Sequence, residues 1–276
     1  MKFTHPIISI DELQSILQDP HLILLDCSIN KVNQKLDENN IQLIPNSYFL
    51  DIEHRFSDQK SELPHTLIDE IKFTKEAQFL GINTDSIIIC YDRWGIYSSP
   101  RAWWMFKAMG HPNVYVLNGG LVAWKNAKLP TTKTYLPIEN IGDFQAKLDE
   151  QWLANVNDVL DAIDQSSIKI IDARSTKRFN AEVDEPRPGL RKGHIKNAAN
   201  LPFEMVLNDT SFKSEQELTE LFKEFHTKKE LIFSCGSGIT ASILALANHQ
   251  INPKQTIKVY DGSWAEWGKD EELPIE

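Results

Sequence analysis

A cysteine acts as a nucleophile only where its thiolate is stabilised and a substrate can reach it. Of the three cysteines, Cys27, Cys90 and Cys235, Cys235 has neighbours suited to that work. It opens the run Cys235-Gly236-Ser237-Gly238-Ile239-Thr240, after the apolar Leu231-Ile232-Phe233-Ser234 and before Ala241-Ser242-Ile243-Leu244-Ala245-Leu246-Ala247. The first flank reads as a buried strand and the second as a helix. Cys235 therefore starts a tight loop between the carboxyl end of a strand and the start of a helix, where open α/β sheets bind ligands. The two glycines let the loop's N–H groups turn toward the sulfur, and the helix start adds positive potential. Such a setting suits an anionic sulfur. It serves a thiolate, or a persulfide that carries the same charge one atom further out. Cys27 ends a buried strand and Cys90 lies inside one, so both read as inert core residues. No two cysteines have a metal-binding spacing.

The elements that position this loop occur twice. Val116-Leu117-Asn118-Gly119-Gly120-Leu121-Val122-Ala123-Trp124 matches Val259-Tyr260-Asp261-Gly262-Ser263-Trp264-Ala265-Glu266-Trp267 at an offset of 143 residues, and each run continues to a Leu-Pro, at Leu129-Pro130 and Leu273-Pro274. Asp92-Arg93-Trp94-Gly95-Ile96-Tyr97-Ser98 matches Cys235-Gly236-Ser237-Gly238-Ile239-Thr240-Ala241 at the same offset. Leu22 to Asp26 resembles Lys169 to Asp172, and Ile44-Pro45-Asn46 resembles Ile195-Lys196-Asn197. Four ordered matches imply two copies of one fold. We place them at residues 1–135 and 151–276, joined by a linker at 136–150 rich in polar and turn residues. Short apolar runs such as Ile87-Ile88-Ile89 alternate with helical patterns, which predicts mostly parallel sheets flanked by helices. Ser9 with Glu12 forms a capping box, and Leu153, Val156, Val159, Leu160 and Ile163 are expected on one helical face. Asp92 stands where the second copy has Cys235. A carboxylate cannot carry a transferable sulfur, so the first copy is expected to be catalytically silent.

Composition sets the outer bounds. The chain has 276 residues, a net charge of −10, 41% hydrophobic and 25% charged residues. That is a globular profile with room for two cores. The acidic balance disfavours nucleic acid and anionic membranes as partners. The basic residues at 187–196 are too few and too mixed with acids to form a footprint. Few cysteines, no long apolar run and an N-terminus unlike a signal or transit peptide point to the cytoplasm.

The loop Cys235 to Thr240 after an apolar strand, inside a duplicated α/β chain, resembles the rhodanese superfamily, and among its members the 3-mercaptopyruvate sulfurtransferases. Asp172-Ala173-Arg174, Gly193-His194-Ile195 and Tyr97-Ser98-Ser99-Pro100-Arg101 support the resemblance, which covers essentially the whole chain. It implies an α/β fold of two tandem rhodanese-like domains. It also implies sulfur transfer from 3-mercaptopyruvate through a Cys235 persulfide, release of pyruvate, and no metal or organic cofactor. The acceptor would be a thiol such as thioredoxin or a small thiol, or cyanide in an assay. Thiosulfate-specific members carry a basic Arg-Lys pair after the cysteine, whereas this chain has Gly236-Ser237. By resemblance Arg178 and Arg187 hold the substrate's carboxylate and keto oxygen, a task that suits guanidinium forks. Their alternative role is surface pairing with Glu182, Asp184 and Glu185. Gly236, Gly238, Ile239 and Thr240 line the loop. A proton relay of Ser237, His65 and an acid, Glu53 or else Asp51, is also implied. His194 is read as structural. A thiosulfate sulfurtransferase and a non-catalytic sulfur-binding protein are the rival readings. A phosphatase of the same fold would need Arg six residues after the cysteine, where this chain has Ala241.

Overall fold

The computed structural model describes residues 3–276. They divide into two compact units: residues 3–58, 67–149 and 209–212 in the first, and residues 59–66, 150–208 and 213–276 in the second.

The first unit contains β1 (Ile7–Ile8), α1 (Ile10–Ser15), β2 (Leu22–Asp26), β3 (Ser47–Phe49), α2 (Glu70–Phe79), β4 (Ile87–Tyr91), α3 (Ser99–Ala108), β5 (Val114–Leu117) and α4 (Gly120–Asn126). Its strands form one sheet in the order β1-β5-β4-β2-β3, every pair parallel. The second unit repeats the plan with β6 (Leu153–Ala154), α5 (Val156–Ala162), β7 (Ile168–Asp172), α6 (Thr176–Phe179) and β8 (Ala199–Asn200). The short strands β9 (Leu207–Asn208) and β10 (Ser211–Phe212) follow in the chain, then α7 (Glu215–Phe222), β11 (Glu230–Ser234), α8 (Ala241–Ile251), β12 (Thr256–Tyr260) and α9 (Ser263–Trp267). Its main sheet has the order β6-β12-β11-β7-β8, again all parallel. Under the repeat offset the two orders are identical. The central strand β4 is buried at all five positions, as its continuous Ile run requires.

Matched residues do matched work. Asn46 and Asn197 both turn the chain with positive φ, 65° and 62°, into the edge strand of their sheet. Trp124 and Trp267 are buried, and their indole N–H groups donate to Pro130 O and Pro274 O at 2.7 and 3.0 Å. Each Leu-Pro is thereby tied to its own copy. The Ser9 capping box is present, with Glu12 accepting from the Ser9 N–H.

Three details differ from expectation. Leu153 lies on β6 rather than on a helix, because Asn155 caps α5 and starts it at Val156; Leu160, one residue round the helix from buried Val159, is 43% exposed. Residues 136–149 are laid along the first unit instead of running free. Leu136 N–H donates to Ser47 O, Phe144 N–H to Ile82 O and Lys147 N–H to Met109 O, and Phe144 is buried. The units also depart from chain order at two places. Residues 59–66 pack with the second unit, where Glu62 meets Lys269 at 2.7 Å, and residues 209–212 pack with the first, where Phe212 N–H donates to Asn118 Oδ1 at 2.8 Å.

Candidate active site

β11 and α8 place Cys235 in the second unit as the sequence implies. Gly238 takes φ +80°, a left-handed turn that folds the loop back, and its repeat partner Gly95 takes φ +105° for the same purpose. Cys235 is 1% exposed and Ser237 7%. The loop is pinned by its backbone: Trp264 N–H donates to Cys235 O at 2.9 Å and Ala265 N–H to Gly236 O at 3.0 Å. The N–H groups of Thr240 and Ala241, at the mouth of α8, donate to no described residue. Donors of this kind, on buried Ala241 and half-buried Thr240, are ready for an anion.

Arg178 and Arg187 converge on this loop. A Cβ placed on Gly236 would stand 3.1 Å from Arg178 Nη2 and 3.8 Å from Arg187 Nη1. Glycine at 236 therefore leaves room for the Arg178 guanidinium beside the cysteine's peptide, while Arg187 stands at ordinary contact distance. Glu185, 2% exposed in its side chain, accepts from Arg178 Nε at 3.1 Å and also from its Nη2. Arg174 Nη1 donates to the same carboxylate at 2.9 Å. Arg174 in turn pairs with Asp172 at the end of β7, donates to Gly193 O at 2.8 Å, and lies 4.2 Å over the Trp264 ring. Burial opposes the charge on Arg178. The hydrogen bond and charge of Glu185, with smaller contributions from Cys235 and Asp172, outweigh that and hold its pKa above the ordinary value.

Ser237 is the meeting point of the implied relay. Its Oγ lies 3.1 Å from His65 Nδ1 and accepts from Arg187 Nη2 at 3.3 Å. An oxygen that accepts from a guanidinium keeps its own proton available for an imidazole nitrogen. His65 holds φ +62°, an uncommon conformation for a residue with a side chain. It reaches Ser237 within the second unit, although it precedes that half of the chain in sequence. Glu53 and Asp51 belong to the first unit. Asp51 Oδ1 is engaged by the His54 N–H and ring at 3.0 Å, and Glu53 lines a cavity with Ser28, Asn30, Arg93 and Tyr135. His194 stacks on Phe179 at 3.6 Å, and its Nδ1 lies 2.9 Å from Phe179 O.

Sequence reasoning missed two contributors. Glu185 was grouped with surface acids, and only its burial between two arginines reveals its task. Ser263 takes φ +49° while buried, and its Oγ accepts from Cys235 N–H at 3.2 Å. The available signal was that its repeat partner, Gly120, is a glycine.

Among the described residues no group of three or more His, Cys, Asp or Glu could hold a metal ion, and no helix is long and apolar enough to cross a membrane.

Comparison with known proteins agrees with this architecture. The Rhodanese-like domain profile matches residues 9–127 and 155–270. The chain belongs to the rhodanese-like family and carries two copies of its domain. It is 38% identical over 276 residues to the 3-mercaptopyruvate sulfurtransferase of Escherichia coli (strain K12), covering 98% of this chain and 97% of that protein. It is 33% identical over 299 residues to the thiosulfate/3-mercaptopyruvate sulfurtransferase 1, mitochondrial, of Arabidopsis thaliana, covering 99% and 78%. The crystal structure of SseA from Escherichia coli, described as showing the rhodanese fold of 3-mercaptopyruvate sulfotransferases, superposes with a TM-score of 0.82 at 34% identity over 95% of this chain and 100% of that one.

Proposed function

We propose that the chain is a 3-mercaptopyruvate sulfurtransferase that carries sulfur on Cys235. The observation that supports this reading most is the closure of two guanidinium groups, Arg178 and Arg187, over the Cys235 loop at Gly236. A three-carbon keto acid presents a carboxylate and a carbonyl to such a pair while its sulfur meets the thiolate. The Cys235 thiolate attacks the substrate sulfur. The sulfur–sulfur bond forms as the carbon–sulfur bond breaks, and the carbon keeps that bond's electron pair as the enolate of pyruvate. The enolate is protonated through Ser237 from His65. The persulfide's outer sulfur rests against the loop N–H groups at Gly238, Ile239, Thr240 and Ala241.

In the second half-reaction an acceptor thiolate attacks that outer sulfur and releases Cys235 as a thiolate. A thiol of a protein such as thioredoxin, or a small thiol, fills this role, and cyanide does so in an assay. Two half-reactions on one nucleophile give ping-pong kinetics. All three cysteines are unpaired, which suits the reducing cytoplasm as its setting.

The test is pyruvate release from mercaptopyruvate, compared with thiosulfate turnover using one common acceptor. Mercaptopyruvate should have the higher kcat/KM, and Cys235→Ser should abolish turnover with both donors. Preference for thiosulfate would overturn the donor assignment. Retained turnover in Cys235→Ser would overturn the persulfide itself.

A further inference from the structure

We propose that Ser263 is a positioning residue for Cys235, kept in a strained conformation because its hydroxyl fixes the nucleophile's peptide; this rests on the assignment of Cys235 as the sulfur carrier. Ser263 is fully buried at the start of α9, with φ +49°. A residue with a Cβ is disfavoured there, and glycine is not. The first copy has glycine at the matching position, Gly120, with the same φ of +49°. The backbone alone therefore asks for glycine in both copies, and the second copy departs from it.

What the serine adds is one well-aimed oxygen. Its hydroxyl donates to Tyr260 O at 2.7 Å, which fixes the direction of the proton and turns the lone pairs elsewhere. One lone pair accepts from Cys235 N–H at 3.2 Å. The next residue, Trp264, donates its N–H to Cys235 O at 2.9 Å. Both polar groups of the nucleophile's own residue are thus held by two consecutive residues at the start of α9.

The two copies differ in what needs holding. In the first, the Asp92 side chain is anchored by four N–H groups and a hydroxyl, so it orients itself. Gly120 contributes nothing beyond its backbone. The sulfur of Cys235 must stay free to bond with substrate, so its direction is set from the backbone side. Ser263 supplies that restraint without touching the sulfur's reactive path.

The experiment compares the parent with Ser263→Gly and Ser263→Ala. Three quantities are measured: the single-turnover rate of Cys235 persulfide formation with mercaptopyruvate, the rate of Cys235 alkylation by iodoacetamide, and the thermal midpoint. Both variants lose the hydroxyl, but only glycine is at ease with the backbone. We expect Ser263→Gly to have the higher midpoint of the two, and both to form persulfide about tenfold more slowly or worse. A slow but well-folded glycine variant is a result that a packing role would not produce. Persulfide formation at the parental rate in Ser263→Gly would overturn the proposal, as would rates that simply follow the thermal midpoints. A parent that turns over mercaptopyruvate without modifying Cys235 would instead overturn the carrier assignment, and this role with it.

Discussion

The two copies hold the same loop with opposite contents. In the first, Asp92 Oδ2 accepts from the N–H groups of Tyr97, Ser98 and Ser99 at 2.8, 3.0 and 3.0 Å and from Ser99 Oγ at 2.8 Å, while Oδ1 accepts from Trp94 N–H at 3.0 Å. In the second, the positions matching Tyr97 and Ser98 are Thr240 and Ala241, whose N–H groups donate to no described residue. Ser242, which matches Ser99, turns its hydroxyl to Gly238 O at 3.0 Å. A carboxylate oxygen stands two bonds from Cβ, as does the outer sulfur of a cysteine persulfide. Asp92 thus displays, as a permanent anion, the arrangement that a sulfur on Cys235 would adopt. In the first copy the loop is an anion cradle filled by its own side chain; in the second, the proposed persulfide sulfur would take that place.

The neighbouring position repeats the lesson. Arg93 follows Asp92, and its guanidinium is spent on Asp26 at 3.4 Å and Glu38 at 2.9 Å within the same unit. Gly236 follows Cys235, and its missing side chain leaves room for Arg178, with Arg187 close by, from elsewhere in the fold. Cation and anion are both internal in the first copy. In the second the cations come from outside the loop, Arg178 paired with Glu185 and Arg187 donating to Ser237 Oγ.

The sharpest way to break this comparison is Asp92→Ala. It would strand the buried donors of Tyr97, Ser98 and Ser99, and should lower stability by on the order of 3–5 kcal/mol. Persulfide formation per folded molecule should be unchanged. Urea denaturation checks the first point, and an unaltered midpoint would mean that the carboxylate does not hold the loop.

A second asymmetry lies in acid stability. His111 is buried in the first unit, where Asn113 N–H donates to its Nδ1 and its Nε2 faces Asn83 O. Burial, outweighing the Asn83 hydrogen bond, lowers its pKa to about 4. A histidine with a lowered folded value binds fewer protons folded than unfolded between about pH 6.5 and 4. Stability is therefore fully present above that window and is lost as pH falls through it, by about 3 kcal/mol at ~1.4 kcal/mol per unit. The matching residue of the second unit is the exposed Lys254, which cannot have this effect. His111→Asn should flatten the dependence of unfolding free energy on pH in this range; an unchanged slope would refute the assignment.

Smaller effects are expected from the proposed substrate clamp. Arg187→Ala and Arg178→Ala should each lower kcat/KM for mercaptopyruvate by roughly ten- to a hundred-fold, or about 1.5–3 kcal/mol. Thiosulfate turnover should suffer less, because a donor without a carboxylate does not need the fork. Equal losses for both donors would show that the arginines serve the loop rather than the keto acid.

Much of this was legible in the sequence. The offset of 143 paired Asp92 with Cys235 and Trp124 with Trp267, and the structure gives both pairs the same backbone environment. Buried strands announced themselves through continuous apolar runs at Ile87–Ile89 and Leu231–Phe233. The Cys235 loop was legible because glycine spacing is a local property. Glu185 was not, because its burial depends on three arginine and aspartate side chains that meet only in the fold. The packing of residues 59–66 with the second unit was equally hidden, since no composition or period marks a segment that joins the other half. Leu160 misled because a hydrophobic side chain at a helical spacing need not be buried. Ser263 could have been suspected from the glycine at Gly120, but its hydrogen bond to Cys235 required the coordinates.

The most direct measurement is mass spectrometry of the intact chain and its peptides after incubation with mercaptopyruvate and no acceptor. The account predicts one added sulfur per chain, on the peptide containing Cys235, removed when a thiol is added, with Cys27 and Cys90 unmodified. Sulfur found on Cys27 or Cys90, or pyruvate released with no sulfur retained on Cys235, would contradict it.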